Sequence, residues 1–154
     1  MKSRYLSRIV LTSLLVAPTI LLAGSVMKMA VSYISPFPHE GEEVPLKGLV
    51  YHGEKIKVSS VRLEVGSEEG ADPVRSEWTF TGSNSKAQNQ RVNLTCSLLD
   101  ENDKSIGVGR KTIFLKAGTD EQKDTLKMKV RLKVWEAAKR GNRVKIQADF
   151  ATLR

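Results

Sequence analysis

One cysteine, two histidines and an aromatic content of only 6% leave this chain of 154 residues short of the side chains that most often carry chemistry. Cys96 has no second cysteine to pair with, so an internal disulfide is excluded and the fold must stand on an apolar core. It falls in phase with Val92, Leu94 and Leu98, which reads as a small buried hydrophobe instead of a reactive thiol. His39 and His52 are the only histidines, and neither has a serine or cysteine placed to form a recognisable nucleophile pair. The stretch from residue 53 to 154 holds no histidine, which argues against most acid–base enzymes and leaves a hydrolase built on paired Glu and Asp as the catalytic alternative. The expectation is a protein that is not an enzyme, with no cofactor. Long repeats and low-complexity tracts are also missing.

What is present begins with a charged and then apolar N-terminus. Lys2, Arg4 and Arg8 precede an uncharged apolar run over residues 9–23 that contains Pro18, and Ala23, Gly24 and Ser25 supply small residues where a signal peptidase cuts. Residues 1–25 read as a signal peptide; the alternative is an uncleaved membrane anchor, since the uncharged run from Ile9 to Met27 is long enough to cross a bilayer. Both place the rest of the chain outside the cytoplasm, periplasmic or extracellular. The full chain has 25 basic and 17 acidic residues for a net +8; without residues 1–25 it has 22 against 17, or +5. An exported protein with that modest excess is not expected to bind nucleic acid, and it meets a membrane only through its N-terminal segment if that stays uncleaved.

Residues 26–55 read as a linker, because Pro36 and Pro38 forbid a helix and His39 to Glu43 is polar and turn-like. From residue 56 the pattern is that of strands. Ile56 and Val58 are apolar at even positions and Val61, Leu63 and Val65 at odd ones, so a bulge at Ser59 and Ser60 is needed to keep both halves facing one core. Residues 66–73 form an acidic, glycine-containing loop. Trp78 and Phe80, then Val92 to Leu98, then residues 106–115 give three further strands, and Val144, Ile146, Ala148 and Phe150 mark the last.

The clearest alternation lies at Leu126, Met128, Val130, Leu132 and Val134, with Lys127, Lys129, Arg131 and Lys133 between them. It predicts a half-buried strand over residues 125–134 with a row of cations on its wet face. Arg143 and Lys145 extend that row if the last strand lies alongside. These six residues are the candidate binding face, suited to an anionic polymer, a headgroup plane or an acidic protein; a solvated or lysine-guarded edge is the plainer reading. Trp135 to Arg140 suits one helical turn capped by Gly141.

The run from Arg91 to Asp100, followed by Asn102, Asp103, Lys104, Ser105, Ile106 and Gly107, resembles the FxLYD type of exported bacterial domain over about residues 78–150. Leu99 stands where that pattern has tyrosine, and Asp103 where its turn has glycine. The resemblance implies an immunoglobulin-like fold and no particular activity. Asp100, Asn102 and Asp103 crowd oxygen donors into one turn, but Lys104 occupies the place of a fifth calcium ligand, so no metal is expected. Asn93, Leu94 and Thr95 form a glycosylation sequon set in the middle of a strand.

Taken together, residues 56–154 read as an all-β, antiparallel immunoglobulin-like sandwich of about six or seven strands. Its expected role is a non-catalytic binding or scaffolding module of the bacterial cell envelope, whose partner is an envelope protein or an anionic surface polymer. The alternative is a membrane-anchored accessory subunit of an envelope complex.

Overall fold

The structure, a computed structural model, describes residues 28–151. The signal or anchor segment expected over residues 1–25 lies outside them. Among the described residues nine strands and one helix follow in the order β1 (Lys28–Pro36), β2 (Glu43–Pro45), β3 (Val50–Tyr51), β4 (Ile56–Val65), β5 (Val74–Asn84), β6 (Gln90–Leu99), β7 (Ser105–Leu115), β8 (Thr119–Val130), α1 (Leu132–Gly141) and β9 (Arg143–Ala151). They form two antiparallel sheets, one ordered β1-β9-β6-β7 and the other β2-β4-β5-β8, with β3 added beside β4. Among the described residues no helix is long and apolar enough to cross a membrane.

Alternation decides which side chains the sheets share. Val92, Leu94, Cys96 and Leu98 of β6 and Val144, Ile146, Ala148 and Phe150 of β9 meet Trp78 and Phe80 of β5 and Leu126 and Met128 of β8 in one apolar cluster. The phase flip in β4 is a bulge: its register against β5 shifts between Val58 and Ser60, so Ser59 is the extra residue. Ile56, Val58, Val61 and Leu63 on either side of it are all 0–1% exposed. The Ser59 hydroxyl donates to the Thr81 carbonyl oxygen at 3.2 Å, which satisfies part of the disrupted ladder.

The stretch expected as a linker is instead built into the body. β1 pairs with β9 along its whole length, from Lys28 opposite Ala151 to Pro36 opposite Arg143. Phe37, Leu46, Leu49 and Tyr51 lie in the core. The two prolines exclude a helix but not a strand, since Pro36 sits at a strand end where a missing N–H costs nothing.

The basic strand is also reassigned. It begins earlier than expected, at Thr119, and ends at Val130 instead of residue 134. The reason is its partner: Val130 pairs with Val74, the first residue of β5, and beyond that point there is no ladder to join. The chain turns into a ten-residue helix that starts at Leu132. Asp72 secures the turn, accepting the Leu132 N–H at Oδ1 (3.3 Å) while Oδ2 lies 3.7 Å from Arg131 Nη1. At the other end the left-handed residue is Asn142, with φ 54°, and Gly141 is the last helical residue. Glycine is required there for space: a Cβ at Gly141 would lie 2.6 Å from the Leu99 carbonyl oxygen.

Candidate functional site

The six cations expected on one face are separated. Lys127 and Lys129 do share the wet side of β8, but Lys127 Nζ is 3.4 Å from Glu77 Oε1 on β5, and Lys129 stands opposite Arg75. Arg131 sits at the strand–helix junction with Asp72, and Lys133 belongs to α1. Arg143 and Lys145 lie on β9, which is in the other sheet, between β1 and β6. Arg143 Nη2 is 2.7 Å from Asp103 Oδ1. The continuous row therefore reduces to two lysines and Arg75, and the acids that break it come from β5 and from two loops.

The turn after β6 uses its donors internally. Asp100 Oδ1 accepts the N–H groups of Asn102 (2.8 Å) and Lys104 (3.0 Å), and Asp103, at φ 61°, takes the left-handed position where glycine was the pattern. Asn93 of the sequon accepts the Thr112 hydroxyl at 2.7 Å on the outer face of its sheet. Cys96 is fully buried, and that burial pushes its thiol up to about 12.

A concave feature that combines an apolar floor with charge lies elsewhere, at the end of the sheets where α1 packs. Two adjoining hollows of about 210 and 350 Å³ share Glu40, Val65, Trp135 and Lys139 in their linings and form one groove. One wall is the α1 face bearing Leu132, Trp135, Glu136 and Lys139; the other is the β4–β5 loop with Ser67, Glu68 and Glu69; Phe37 to Glu40 close one end. Each wall has a reason to be where it is. Glu40 binds the end of β4 twice, through a backbone bridge to Leu63 and through Oε1, which accepts the Val65 N–H at 3.2 Å. The Gly66 N–H donates to the Arg75 carbonyl oxygen (2.9 Å) and the Ser67 hydroxyl oxygen accepts from the Arg75 N–H (3.0 Å), which closes the loop against β5.

Under the groove, Phe37, Trp78 and Trp135 pack edge to face with centroids 5.2 to 6.5 Å apart. Trp135 is 6% exposed, so it offers a rigid rim of ring with its bulk in the core. Glu40, Glu68, Glu69 and Glu136 stand around this floor with Lys139 as the one lysine among them, and among the described residues none of the four carboxylates is in an ion pair. The described residues contain no group of three His, Cys, Asp or Glu side chains arranged to hold a metal. The arrangement is suited to a cationic side chain whose stem lies on apolar surface, attracted by carboxylates and by the ring system. Of these groups only the Glu68–Glu69 loop was visible as an acidic run in the sequence; Glu40 and Glu136 come from distant segments, and their convergence has no local signal.

Comparison with protein-family models and with curated proteins returned no match for this chain.

Proposed function

We propose that the chain is an exported, non-catalytic binding module of the bacterial cell envelope that holds a basic, partly apolar segment of another envelope protein in the groove beside α1. The observation that carries this reading is the net negative rim of that groove, four carboxylates against Lys139, in a molecule that is still net +5 without residues 1–25. Local charge opposite to the global charge directs a cationic partner to that spot and away from the rest of the surface. Export is supported by the N-terminal pattern of Lys2, Arg4 and Arg8 before an apolar run. The immunoglobulin-like reading of the fold draws on the way the chain changes sheets, with β4 and β5 in one, β6 and β7 in the other, β8 back beside β5 and β9 back beside β6, while the FxLYD resemblance rests on the residues from Arg91 to Gly107 alone. Contact with an anionic surface loses ground in this account, since its cation row is broken up.

A second reading, a membrane-tethered accessory subunit, is favoured by one spacing. β1 begins at Lys28, directly after the uncharged run that ends at Met27, so an uncleaved anchor would hold the sheets against the bilayer with no spacer. N-terminal sequencing of the protein from its native envelope separates the two, a start near Val26 favouring the first and an intact residue 1 the second.

The groove itself is tested with a synthetic peptide of alternating lysine and leucine as probe, and a glutamate–leucine peptide as control. The lysine peptide is expected to bind the native protein, more weakly as salt rises, and about tenfold more weakly, or 1.4 kcal/mol, to Glu68→Lys with Glu136→Lys. Equal binding of both peptides, or no effect of the double substitution, removes the groove from the account.

A further inference from the structure

The row expected on β8 is broken, but cations collect at the end of the molecule farthest from the groove. The pairings set Tyr51 beside Ile56, Ile56 beside Asn84, Asn84 beside Thr119, Gln90 beside Leu115 and Lys28 beside Ala151. The β3–β4 turn, the β5–β6 and β7–β8 loops and the first residue of β1 therefore lie together at that end. The loops are tied to one another. The Ser85 N–H donates to the Lys55 carbonyl oxygen (2.8 Å), the Gly118 N–H to the Lys86 carbonyl oxygen (3.0 Å) and the Ala117 N–H to Asn89 Oδ1 (2.9 Å), so three loops form one fixed surface across the strand ends. On it, and on the strand residues beside it, stand Lys55, Lys57, Lys86, Arg91 and Lys116 against Glu54 and Asp120, while Glu121 is taken by Lys123 at 3.4 Å. Among the described residues none of these five cations is in an ion pair, whereas at the groove end Arg131, Arg140 and Arg143 each have an acid partner. His52 in the β3–β4 turn senses the same field: desolvation and the positive charge of Lys86 and Lys55 hold its imidazole below the ordinary value. Phe114, two residues before Lys116, is 57% exposed, the most of any large apolar side chain among the described residues.

We infer that this end is a membrane-facing surface that lies against anionic phospholipid headgroups. Two observations select a bilayer as its occupant. One is where the chain enters the fold. β1 starts here, at Lys28, and the 19 residues before it, Ile9 to Met27, are the only uncharged apolar run of that length in the sequence. Retained as an anchor with no linker after it, that run brings this end and no other to the headgroups. The second is the chemistry of the surface: lysines without acid partners suit lipid phosphates, and an exposed aromatic ring beside them suits the boundary between headgroups and acyl chains. A soluble anionic polymer would use the lysines but has no use for Phe114 or for the place where β1 begins. The groove then opens away from the bilayer, the length of the long strands or roughly 30 Å above it, where a second envelope protein can reach it. The inference deepens the membrane-tethered reading and rests on it for what brings the bilayer near; it does not depend on the groove.

The test uses the full chain inserted into vesicles of equimolar phosphatidylglycerol and phosphatidylcholine whose headgroups carry a quencher. A fluorophore is placed on Ala117→Cys at this end or on Asn102→Cys at the other, and Cys96 stays unlabelled because it is buried. The label at 117 is expected to be quenched and the label at 102 to be spared. Raising salt, or using phosphatidylcholine alone, lowers the ratio of quenched to unquenched label at 117. Lys86→Glu with Lys116→Glu lowers it about tenfold or more. The same charge change made at the groove end, Lys104→Glu with Lys133→Glu, leaves it as it was, and circular dichroism confirms that each variant folds. Equal quenching at 117 and 102, quenching at 117 that is as strong in phosphatidylcholine alone, or a Lys86/Lys116 variant that matches the native protein overturns the inference, as does capture of soluble polyphosphate by this end without quenching by lipid. Loss of the tether is read separately, by N-terminal sequencing of the native protein, so its failure is told apart from failure of the surface.

Discussion

Gly141 shows how a single side chain, here a missing one, ties the helix to the sheets. The end of α1 passes so close to the end of β6 that a methyl at this position would meet the Leu99 carbonyl oxygen at 2.6 Å and the Asp100 carbonyl carbon at 2.7 Å. Backbone cannot rotate away as a flexible side chain can. Gly141→Ala is therefore expected to lower unfolding free energy by about 1–3 kcal/mol in urea denaturation, the usual cost of forcing atoms into a packed site. Unchanged stability would mean that the helix sits farther from β6. Cys96 makes a second prediction. An unfolded chain gives up its thiol proton near pH 9.0, whereas the folded protein keeps it to about 12, so between those values unfolding releases a proton and rising pH favours the unfolded state. Cys96→Ala should lose that part of the alkaline decline in stability, although it costs stability at neutral pH by leaving a cavity. If the native protein and the Cys96→Ala variant decline in parallel through the window, the thiol is not held protonated in the folded state.

At the level of elements, the alternating strands were readable and their ends were not. The bulge in β4 could be read because apolar residues on either side of Ser59 have opposite parity, and only an inserted residue lets both face the same core. Deleting Ser59 should turn Ile56 and Val58 outward or shift the β4–β5 register, at a cost of about 3–6 kcal/mol for two buried aliphatic side chains. Thermal unfolding measures it, and a deletion that costs under about 1 kcal/mol would show that the strand slips without penalty. The end of β8 was hidden because its apolar rhythm continues through Leu132 and Val134 after the ladder has stopped. Leu132 remains partly buried against the core, now on a helix, so the same hydrophobic pattern serves two geometries and only the absence of a partner beyond Val74 decides between them. β1 was missed for a related reason. Ile34 breaks the alternation of Val31 and Tyr33 with Ala30 and Ser32, and the strand's identity comes from β9, more than a hundred residues away.

On the scale of the whole molecule, the candidate site illustrates what one-dimensional pattern does not contain. A charge row on a single strand is visible in sequence, but the acids that neutralise it arrive from Glu77, Asp72 and Asp103, and the sheet to which Arg143 and Lys145 belong is set by pairing. The groove reverses the situation. Its four carboxylates are scattered through the chain and become one rim only because β1 hands over to Phe37–Glu40 at the same end of the sheets as α1.

The most direct test of the groove is a hydrogen-exchange footprint of the full chain with and without the lysine–leucine peptide. Slowed exchange confined to residues 37–40, 66–70 and 132–139 is the predicted result. Protection centred instead on residues 127–129 of β8, or no protection anywhere at saturating peptide, would contradict it.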